Sequence, residues 1–358
     1  MATNKDLAVN EFDQQVKPVS LWADAWKRLR KNIMALIGLY IVLFYAFISL
    51  AAPLLPLYSP SDQNMMHLNL PPSANPAGEL AVRKVEDRIA RLKEVLKVQN
   101  RDDLKSELAA QELELTAVRA SVAGDPRHSR VYLLGTDYLG RDMLARIVYG
   151  GRISIGIGVV GTITAVLIGI VFGAVAGYAG GKLDNYMMRF VDIMYGLPYM
   201  LVVIILMSMV PTGTNSIFIL FIAIALVSWL TIARVVRGQV ISLKNSEFVE
   251  AARSMGAGPS RIIFRHLLPN TLGVIIIFAT LQMPSFIMNE SFLSFLGLGV
   301  SAPSASWGTL VADGVKGMEL YPWRLFFPAL SMTIFLFAMN FLGDGLRDAL
   351  DPQSKNRA

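Results

Sequence analysis

The sequence contains no cysteine, which excludes disulfide bonds, thiolate metal sites and a cysteine nucleophile. Its three histidines, His67, His128 and His266, lie in different segments and have no metal-ligand spacing. A phosphate-binding loop is also missing, because Gly180-Gly-Lys182 is followed by Leu183, where Ser or Thr would be needed. No paired carboxylates or nucleophile motif indicates an enzyme. If the protein uses ATP, a partner chain has to hydrolyse it.

Charge is also scarce: 17% of the 358 residues are charged, against about 25% in ordinary soluble domains, and 54% are hydrophobic. The deficit lies in long uncharged stretches, and about 20 apolar residues suffice to cross a bilayer. These stretches predict an all-α integral membrane protein with six transmembrane helices. The predicted spans cover residues 33–55, 153–179, 197–210, 217–233, 271–288 and 325–342.

Basic residues indicate the orientation of the spans. The N-terminal segment ends in Lys27, Arg28, Arg30 and Lys31, directly before the first span, and short cytoplasmic loops are enriched in such residues. We therefore expect residues 1–32 and 346–358 to be cytoplasmic tails. The net charge of +6 then reflects topology and contact with anionic lipid rather than nucleic acid. Residues 22–31 form an amphipathic helix pattern, with Trp22 and Trp26 as interfacial anchors.

The first span runs 33–55, and the long segment at 56–130 should lie outside the membrane, on the extracytoplasmic side. Within it, apolar residues step by three and four over about 79–122, with a break at 100–103. This heptad period predicts a helical hairpin. Two interpretations of the hairpin stay open: a solvated insertion, or a contact with an external binding protein or a partner subunit.

The cytoplasmic loop at 247–270 is the most informative polar stretch. Its pattern predicts a helix, a break at Gly256–Pro259 and a second helix that stops at Pro269. Ala251 and Ala252 would leave a thin surface that a partner could approach closely, and Glu250 would offer an anionic contact. From these residues alone, an ordinary amphipathic loop and a docking surface are both possible.

Four motifs, in the same order, resemble those of a known family over residues 131–352. Glu250-Ala-Ala, Gly256 and Leu268-Pro269 resemble the "EAA" loop of ABC-importer permeases. Three other stretches resemble the C-type permease subunits of dipeptide and oligopeptide importers. They are Leu134-Gly-Thr-Asp-Tyr-Leu-Gly-Arg-Asp142, Leu293-Ser-Phe-Leu-Gly-Leu-Gly-Val300 with Ser306-Trp-Gly308, and Gly345-Leu-Arg-Asp-Ala-Leu-Asp-Pro352.

The resemblance implies a type I ABC importer permease fold, with residues 131–345 as a permease core of five spans. It implies a non-catalytic subunit of a bacterial plasma (inner) membrane transporter that forms half of the translocation pathway. The implied partners are a second homologous permease subunit, two ABC ATPase subunits that hold ATP and Mg, and an extracytoplasmic solute-binding protein. No cofactor is expected on this chain. The residues expected to couple to the ATPase are Glu250, Ala251, Ala252, Gly256 and Pro269. The 79–122 hairpin departs from the family pattern.

Two groups outside the loop are further candidates. The stripe Gly169, Gly173 and Gly177 predicts close helix packing, either within this chain or on the partner permease. Residues 136–149 predict a short surface helix with a gate or scaffold role, in which Asp137, Arg141, Asp142 and Arg146 can pair at helical spacing.

Glu290, at the outer end of the fifth span, is an acid near the membrane. It is a candidate partner for a peptide amino group or, alternatively, for a cap or an inter-subunit ion pair. Di- or oligopeptides are the expected substrate, with nickel complexes or another small solute as the alternative. A stand-alone secondary transporter would need inverted repeats and intramembrane charges, which the sequence does not show.

Overall fold

The structure is a computed structural model that describes residues 21–98, 101–209 and 216–350. Every regular element in those ranges is a helix, and two isolated β-bridges complete the backbone pairing described there. The predicted hairpin break at 100–103 lies partly outside the described residues. The loop at 211–216, most of the N-terminal tail and the last eight residues of the C-terminal tail also lie largely or wholly outside them.

Twelve helices of eight or more residues are described in these ranges, and several begin at residues whose side chains accept a backbone N–H, namely Asn32, Asp142 and Ser306. In chain order they are α1 Leu21–Leu29, α2 Ile33–Leu50, α3 Ala77–Val98, α4 Asp102–Gly124, α5 Met143–Ala179, α6 Gly181–Gly196, α7 Tyr199–Ser208, α8 Ser216–Leu243, α9 Glu247–Ser254, α10 Pro259–Phe295, α11 Trp307–Val315 and α12 Trp323–Leu350.

Four of these helices, α2, α5, α10 and α12, are long and apolar enough to cross a membrane. The pair α6 and α7, bent by 78° at its break, is a candidate for one further span. The helix α8 contains the fourth predicted span. The all-α membrane fold expected from the sequence is therefore present, while the count of six crossings stays a prediction.

The directions of the helices follow from glycine contacts between them. On α5, Gly169 packs against Ile232 of α8, and Gly177 packs against Val240, so the two helices run parallel. Two parallel helices that follow one another require the chain between them to return to the starting side. The bent α6–α7 segment lies where that return is needed.

Contacts of α12 give the remaining directions. Gly38 of α2 packs against the backbone of Ala338, and Gly345 packs against Ala35, so α2 and α12 are antiparallel. Gly343 of α12 lies against Leu281 of α10, while Gly273 approaches Leu350 at the far end. That pair is antiparallel too. All of these directions are those that six alternating crossings would produce.

The bundle has two ends. The loop end holds residues 52–142, the start of α5, the end of α10, α11 and the start of α12. It is tied together by indole N–H groups: Trp307 donates to the carbonyl of Ile147 (2.9 Å), and Trp323 donates to that of Thr136 (3.2 Å). The coupling end holds α1, the end of α8, α9 and the end of α12.

At the coupling end, the amphipathic helix α1 packs on α12 through its buried residues Ala25 and Leu29. Trp26 is exposed, as an interfacial anchor would be, and the side chain of Trp22 lies outside the described residues. The last turn of α12 also belongs to this contact, so that the predicted C-terminal tail is helical up to Leu350.

The insertion at the loop end is a hairpin of α3 and α4. Its seam buries Ala81, Val85, Ile89 and Val118, which belong to the heptad pattern or lie next to it. Exposed ion pairs such as Arg119–Glu86 (2.6 Å) cross the seam and add little stability. Pro76 and Val131 form an antiparallel bridge, so the chain enters and leaves the hairpin at one point.

Candidate functional site

The short helix α9 forms the centre of the 247–270 loop, and it is held by one face. Val249 is fully buried and packs in the core with Ile262 and Leu267 of α10. Ala252 is 2% exposed and also points inward. The prediction that Ala252 belongs to the thin outer surface is therefore wrong, because the helical turn of 100° per residue places it beside Val249 rather than beside Ala251. Glu250 and Ala251 are exposed.

Gly256 ends α9 in the left-handed region, with a φ of +81°. The N–H of Ala257 bonds to the carbonyl of Ala252 (3.0 Å), a pattern that closes the last helical turn. A Cβ at Gly256 would have no atom within 4 Å, so the site is open to a partner. Backbone conformation alone thus explains this glycine, and its open surroundings leave room for a close contact.

The second half of the loop differs from the prediction, because the helix does not stop at Pro269. The helix α10 begins at Pro259, passes through a π-helical turn at Ile263–Leu267 and continues to Phe295. In the π-turn, the N–H of Leu268 bonds to the carbonyl of Ile263, one residue further back than in an α-helix. This extra residue shifts the hydrogen-bond register just before the proline, whose ring would otherwise break the helix.

Large apolar side chains that the sequence motifs do not include are exposed on this loop. Met255 is 81% exposed and Phe264 is 62% exposed. Phe248 is exposed as well. Exposed aromatic and methionine side chains are enriched at protein interfaces. In the sequence, these residues could have been recognised by their position in a polar loop, whose other outward residues are polar or small.

Ion pairs, hydrogen bonds and close packing join the helices behind the loop. Arg237 of α8 donates from Nε and Nη2 to the two carboxylate oxygens of Asp184 (2.6 and 2.7 Å), which joins α8 to α6. Lys244 donates to the carbonyl of Gly177 (3.1 Å). The stripe of Gly169, Gly173 and Gly177 packs on α8, which selects the intrachain alternative for these glycines.

At the loop end, residues 136–149 do not form the predicted short helix. Thr136 and Asp142 pair across a tight turn, and α5 then starts at Met143 and runs for 37 residues. Gly140, with a φ of +72°, lies against the backbone of Asn64, so neither its conformation nor its space suits a side chain. The turn positions Asp137 to bind two guanidinium groups, those of Arg141 (2.7 Å) and Arg146. Asp142 caps α5 instead of joining an ion pair.

Glu290 lies inside the protein rather than at a surface. Its side chain is fully buried, and Oε1 accepts hydrogen bonds from Ser294 and Ser306 (2.6 Å each). Among the described residues nothing donates to Oε2. The carboxylate therefore connects α10 to the N-cap of α11, and a peptide amino group has no access to it in this conformation.

A polar face on α10 and α12 was also missed. Ser285 and Asn289 of α10 line a cavity of about 490 Å³ together with Thr333 and Asn340 of α12. The same two α10 residues line a second cavity of about 360 Å³ with Gln282. Polar side chains that face lipid are costly, so this face belongs toward protein or water. The signal was the spacing of polar residues at 282, 285 and 289 in an apolar helix.

His67 and His128 are 61 residues apart in sequence but adjacent in space. His67 Nε2 lies 2.8 Å from His128 Nδ1, and its Nδ1 lies 3.2 Å from the hydroxyl of Tyr132. Burial, followed by the charge of His128, lowers the pKa of His67 to about 4. In the described part of the chain, no group of three or more potential ligands could hold a metal ion.

Two protein-family models match parts of the chain. Residues 169–356 match a family model described as "Binding-protein-dependent transport system inner membrane component". Residues 20–72 match one described as "N-terminal TM domain of oligopeptide transport permease C".

Among individual relatives, the oligopeptide transport system permease protein OppC of Bacillus subtilis is 38% identical over 94% of this chain and 91% of its own length. The dipeptide transport system permease protein DppC of the same organism is 40% identical over 96% of this chain and 89% of its own length. A solved inward-facing structure of the MetNI methionine ABC transporter aligns with 58% of this chain and 98% of that chain, at 21% identity and a TM-score of 0.46.

Proposed function

Because the chain belongs to the binding-protein-dependent transport system inner membrane components, with oligopeptide and dipeptide permeases among its relatives, we propose that it carries di- or oligopeptides into the cell. In this proposal it forms half of the translocation pathway and pairs with a second, homologous permease. Two separate ATPase subunits bind ATP and Mg, and a solute-binding protein delivers the substrate. The coupling end is cytoplasmic, with both termini, and the loop end faces outward across the bacterial inner membrane.

The surface of α9 is the observation that carries this proposal. One face of α9 is anchored in the core by Val249 and Ala252, while Glu250, Ala251 and Met255 face outward. A helix held in this way moves with the bundle when its outer face is pushed. ATP binding by the partners would close the ATPase pair, and the loop would convert that closure into a shift between inward-open and outward-open states.

The polar face of α10 and α12 supports a pathway for peptides. Amide and hydroxyl side chains, such as Asn289 and Ser285, form hydrogen bonds with peptide backbone groups and carry no charge. Backbone groups are common to all peptides, so such a lining would accept many sequences. The relatives that match over most of this chain are peptide permeases, which favours peptides over the alternative substrate, a nickel complex.

Ala251→Arg tests the coupling role, because a long charged side chain would keep a partner from approaching α9. We expect uptake of a labelled tripeptide to fall to background in a strain that lacks the native gene, while the protein still inserts in the membrane. The matched control is Ala23→Arg, on an exposed face of α1 at the same end of the bundle. Normal uptake by Ala251→Arg would count against the proposal. Uptake of nickel but not of peptide by the wild type would select the alternative substrate.

A second pair of variants tests the exposed apolar residues of the loop. Met255→Ser and Phe264→Ser should weaken co-purification of the ATPase subunits without lowering the unfolding temperature, because neither side chain is buried in this chain. Unchanged co-purification in both variants would exclude these residues from the ATPase contact.

For the hairpin, we propose a contact with the solute-binding protein or a partner subunit. Deletion of residues 79–122 tests it, since the chain can be rejoined near the Pro76–Val131 bridge. The contact predicts impaired transport or assembly. A deletion variant with normal transport and assembly would identify the hairpin as a solvated insertion.

A further inference from the structure

A cavity of about 270 Å³ lies at the loop end, beside the 136–142 turn. Its other walls are the segment that follows α10 and the outer face of α11. The side chains that give the cavity its character are charged: Arg141, Arg146, Asp313 and Lys316. Lys316 is largely exposed, so the cavity reaches the protein surface at this point.

The charges in the walls do not balance. Asp137 is a single carboxylate between the guanidinium groups of Arg141 and Arg146, and all three side chains are at most 4% exposed. Lys316 and Asp313 offset each other at 3.6 Å. One buried positive charge is therefore in excess around the cavity.

A third buried arginine lies behind the cavity and increases this excess. Arg324 donates to the side-chain oxygen of Asn69 (3.1 Å) and to the carbonyl of Asp313 (3.2 Å), both of which are neutral acceptors. Its guanidinium lies over the ring of Tyr138, and the guanidinium of Arg141 lies over the same ring. Buried charges are normally paired, so this region lacks an anion.

Arg146 shows where that anion would bind. Its Nη1 reaches Asp137, but among the described residues no atom accepts a hydrogen bond from its Nε. Asp137 does not depend on Arg146, because the N–H groups of Leu139 and Arg141 and the Nε of Arg141 already donate to it. Arg146 is thus a surplus cation in the cavity wall.

Other nearby carboxylates do not fill this role. Asp142 accepts the N–H of Leu144 at the start of α5. Glu290 accepts hydrogen bonds from Ser294 and Ser306 and is not in an ion pair with any described residue. A carboxylate oxygen would accept the hydrogen bond that the Nε of Arg146 does not make within the described residues.

We propose that this cavity binds the free C-terminal carboxylate of a peptide substrate, a step that rests on the proposed function above. Phe295 and Ser294, in its wall, are the last residues of α10, and Asn289 of the polar face lies about 9 Å earlier along the helix. The cavity therefore stands at the mouth of the proposed pathway. A terminal carboxylate is common to peptides of any sequence, so the site holds them without selecting side chains.

The test uses the complete transporter in lipid nanodiscs and measures its unfolding temperature, because a ligand that binds the native state raises it. The probes are trialanine, trialanine amide and inorganic phosphate. We expect trialanine to raise the unfolding temperature at concentrations at least about 10-fold lower than those at which the amide does. The reason is that the amide lacks a charge-assisted contact. Arg146→Gln and Lys316→Gln should reduce that difference, whereas Arg189→Gln, on an exposed face of α6, should not.

Lys316→Gln keeps the test valid if Arg146→Gln fails to fold, because Lys316 is 78% exposed and lies at the rim. Equal protection by trialanine and its amide would overturn the proposal. Protection by phosphate equal to that by trialanine would overturn the assignment of a carboxylate. The purified solute-binding protein is a further probe. If it raises the unfolding temperature of the wild type but not that of Arg146→Gln, and trialanine raises neither, the carboxylate belongs to that protein. The substrate assignment is then overturned.

Uptake measurements separate this inference from the proposed function. If the wild-type transporter imports neither trialanine nor its amide, peptide import itself is wrong. If it imports peptides and Arg146→Gln keeps the wild-type preference for trialanine over the amide, only the carboxylate site is wrong.

Discussion

In the turn at 136–146, at the loop end of the bundle, the charged side chains are buried and hydrogen-bonded, whereas on the 247–270 loop at the coupling end they are exposed and apolar side chains accompany them on the surface. Asp137 and Arg141 are each 3% exposed, and Met255 of the coupling loop is 81% exposed. Buried polar groups fix one geometry, because each needs its partners in place. The loop end is thus preorganised within this chain, while the coupling end presents a surface that a second protein would complete.

Asp137→Asn tests this difference with the largest expected effect. The substitution would leave two buried guanidinium groups without a carboxylate, and breaking such a cluster costs about 3–5 kcal/mol. The same amide substitution at the coupling end, Glu250→Gln, should change stability by less than about 0.5 kcal/mol, because that side chain is exposed. Thermal unfolding in detergent compares the two, and similar unfolding temperatures would remove the contrast between the ends.

Lower pH should also affect the loop end selectively. The pKa of His67 is about 4 in the folded protein and near its ordinary value of 6.5 in the unfolded chain, so the unfolded state binds more protons between these values. Stability then falls as the pH decreases from 6.5 toward 4, by at most about 3 kcal/mol. Burial and the charges of His128 and Arg130 lower this pKa, and Asp125 opposes them.

Hydrogen exchange, corrected for intrinsic rates, measures that effect locally. Protection of α3 and α4 should decrease below pH 6.5, and His67→Gln should remove the pH dependence. Exchange in α9 should not follow the same profile. A parallel loss of protection in both regions would show that acid loosens the whole bundle rather than the loop end.

Behind the coupling loop, the helices α5 and α8 are in close contact. A Cβ at Gly173 would overlap the carbonyl oxygen of Ala233, so Gly173→Leu should destabilise the protein by about 1–3 kcal/mol or more. Gly156, on the same helix, has open space around it, and Gly156→Leu provides the matched control. Equal unfolding temperatures for the two variants would contradict the α5–α8 contact.

The smallest effect is expected at Gly256. Its φ of +81° is strained for any other residue, so Gly256→Ala should cost about 1 kcal/mol, although nothing surrounds the added methyl group. Gly258, with a φ of −72°, is the control, and Gly258→Ala should be close to neutral. If Gly256→Ala abolishes transport and leaves the free energy of unfolding unchanged, the glycine is needed for contact with the ATPase rather than for the backbone conformation.

The regions predicted best are those in which a repeated pattern covers many residues. Long apolar runs predicted the helices α2, α5, α10 and α12, since only a helix satisfies its own backbone in lipid. The heptad spacing around Val85 and Val118 predicted the hairpin. In both cases many weak signals agree, and an error at one residue changes little.

Single-residue geometry was predicted less well. Pro269 indicated a helix end, but a π-turn upstream, which no residue type specifies, accommodates the ring. Asp137 and Arg141 have helical spacing and do pair, yet within a turn that Gly140 makes possible. Gly140 itself was the signal that a helical interpretation overlooked, because glycine adopts the positive φ that such a turn requires.

Contacts between distant residues could not be predicted from one sequence. His67 and His128 meet only because the base of the hairpin closes on the loop before it. The exposure of Met255 and Phe264 also depends on the packing of α9 and α10 rather than on their neighbours in sequence. By contrast, the regular spacing of polar residues within the fifth span does predict the polar face of Ser285 and Asn289.

The bridge between Pro76 and Val131 brings the two ends of the insertion together. Paired strands lie about 5 Å apart, so the chain enters and leaves the insertion through a gap of that width. A hairpin of another length could start and end at the same junction. The junction is also a natural place to graft an epitope or a fluorescent domain.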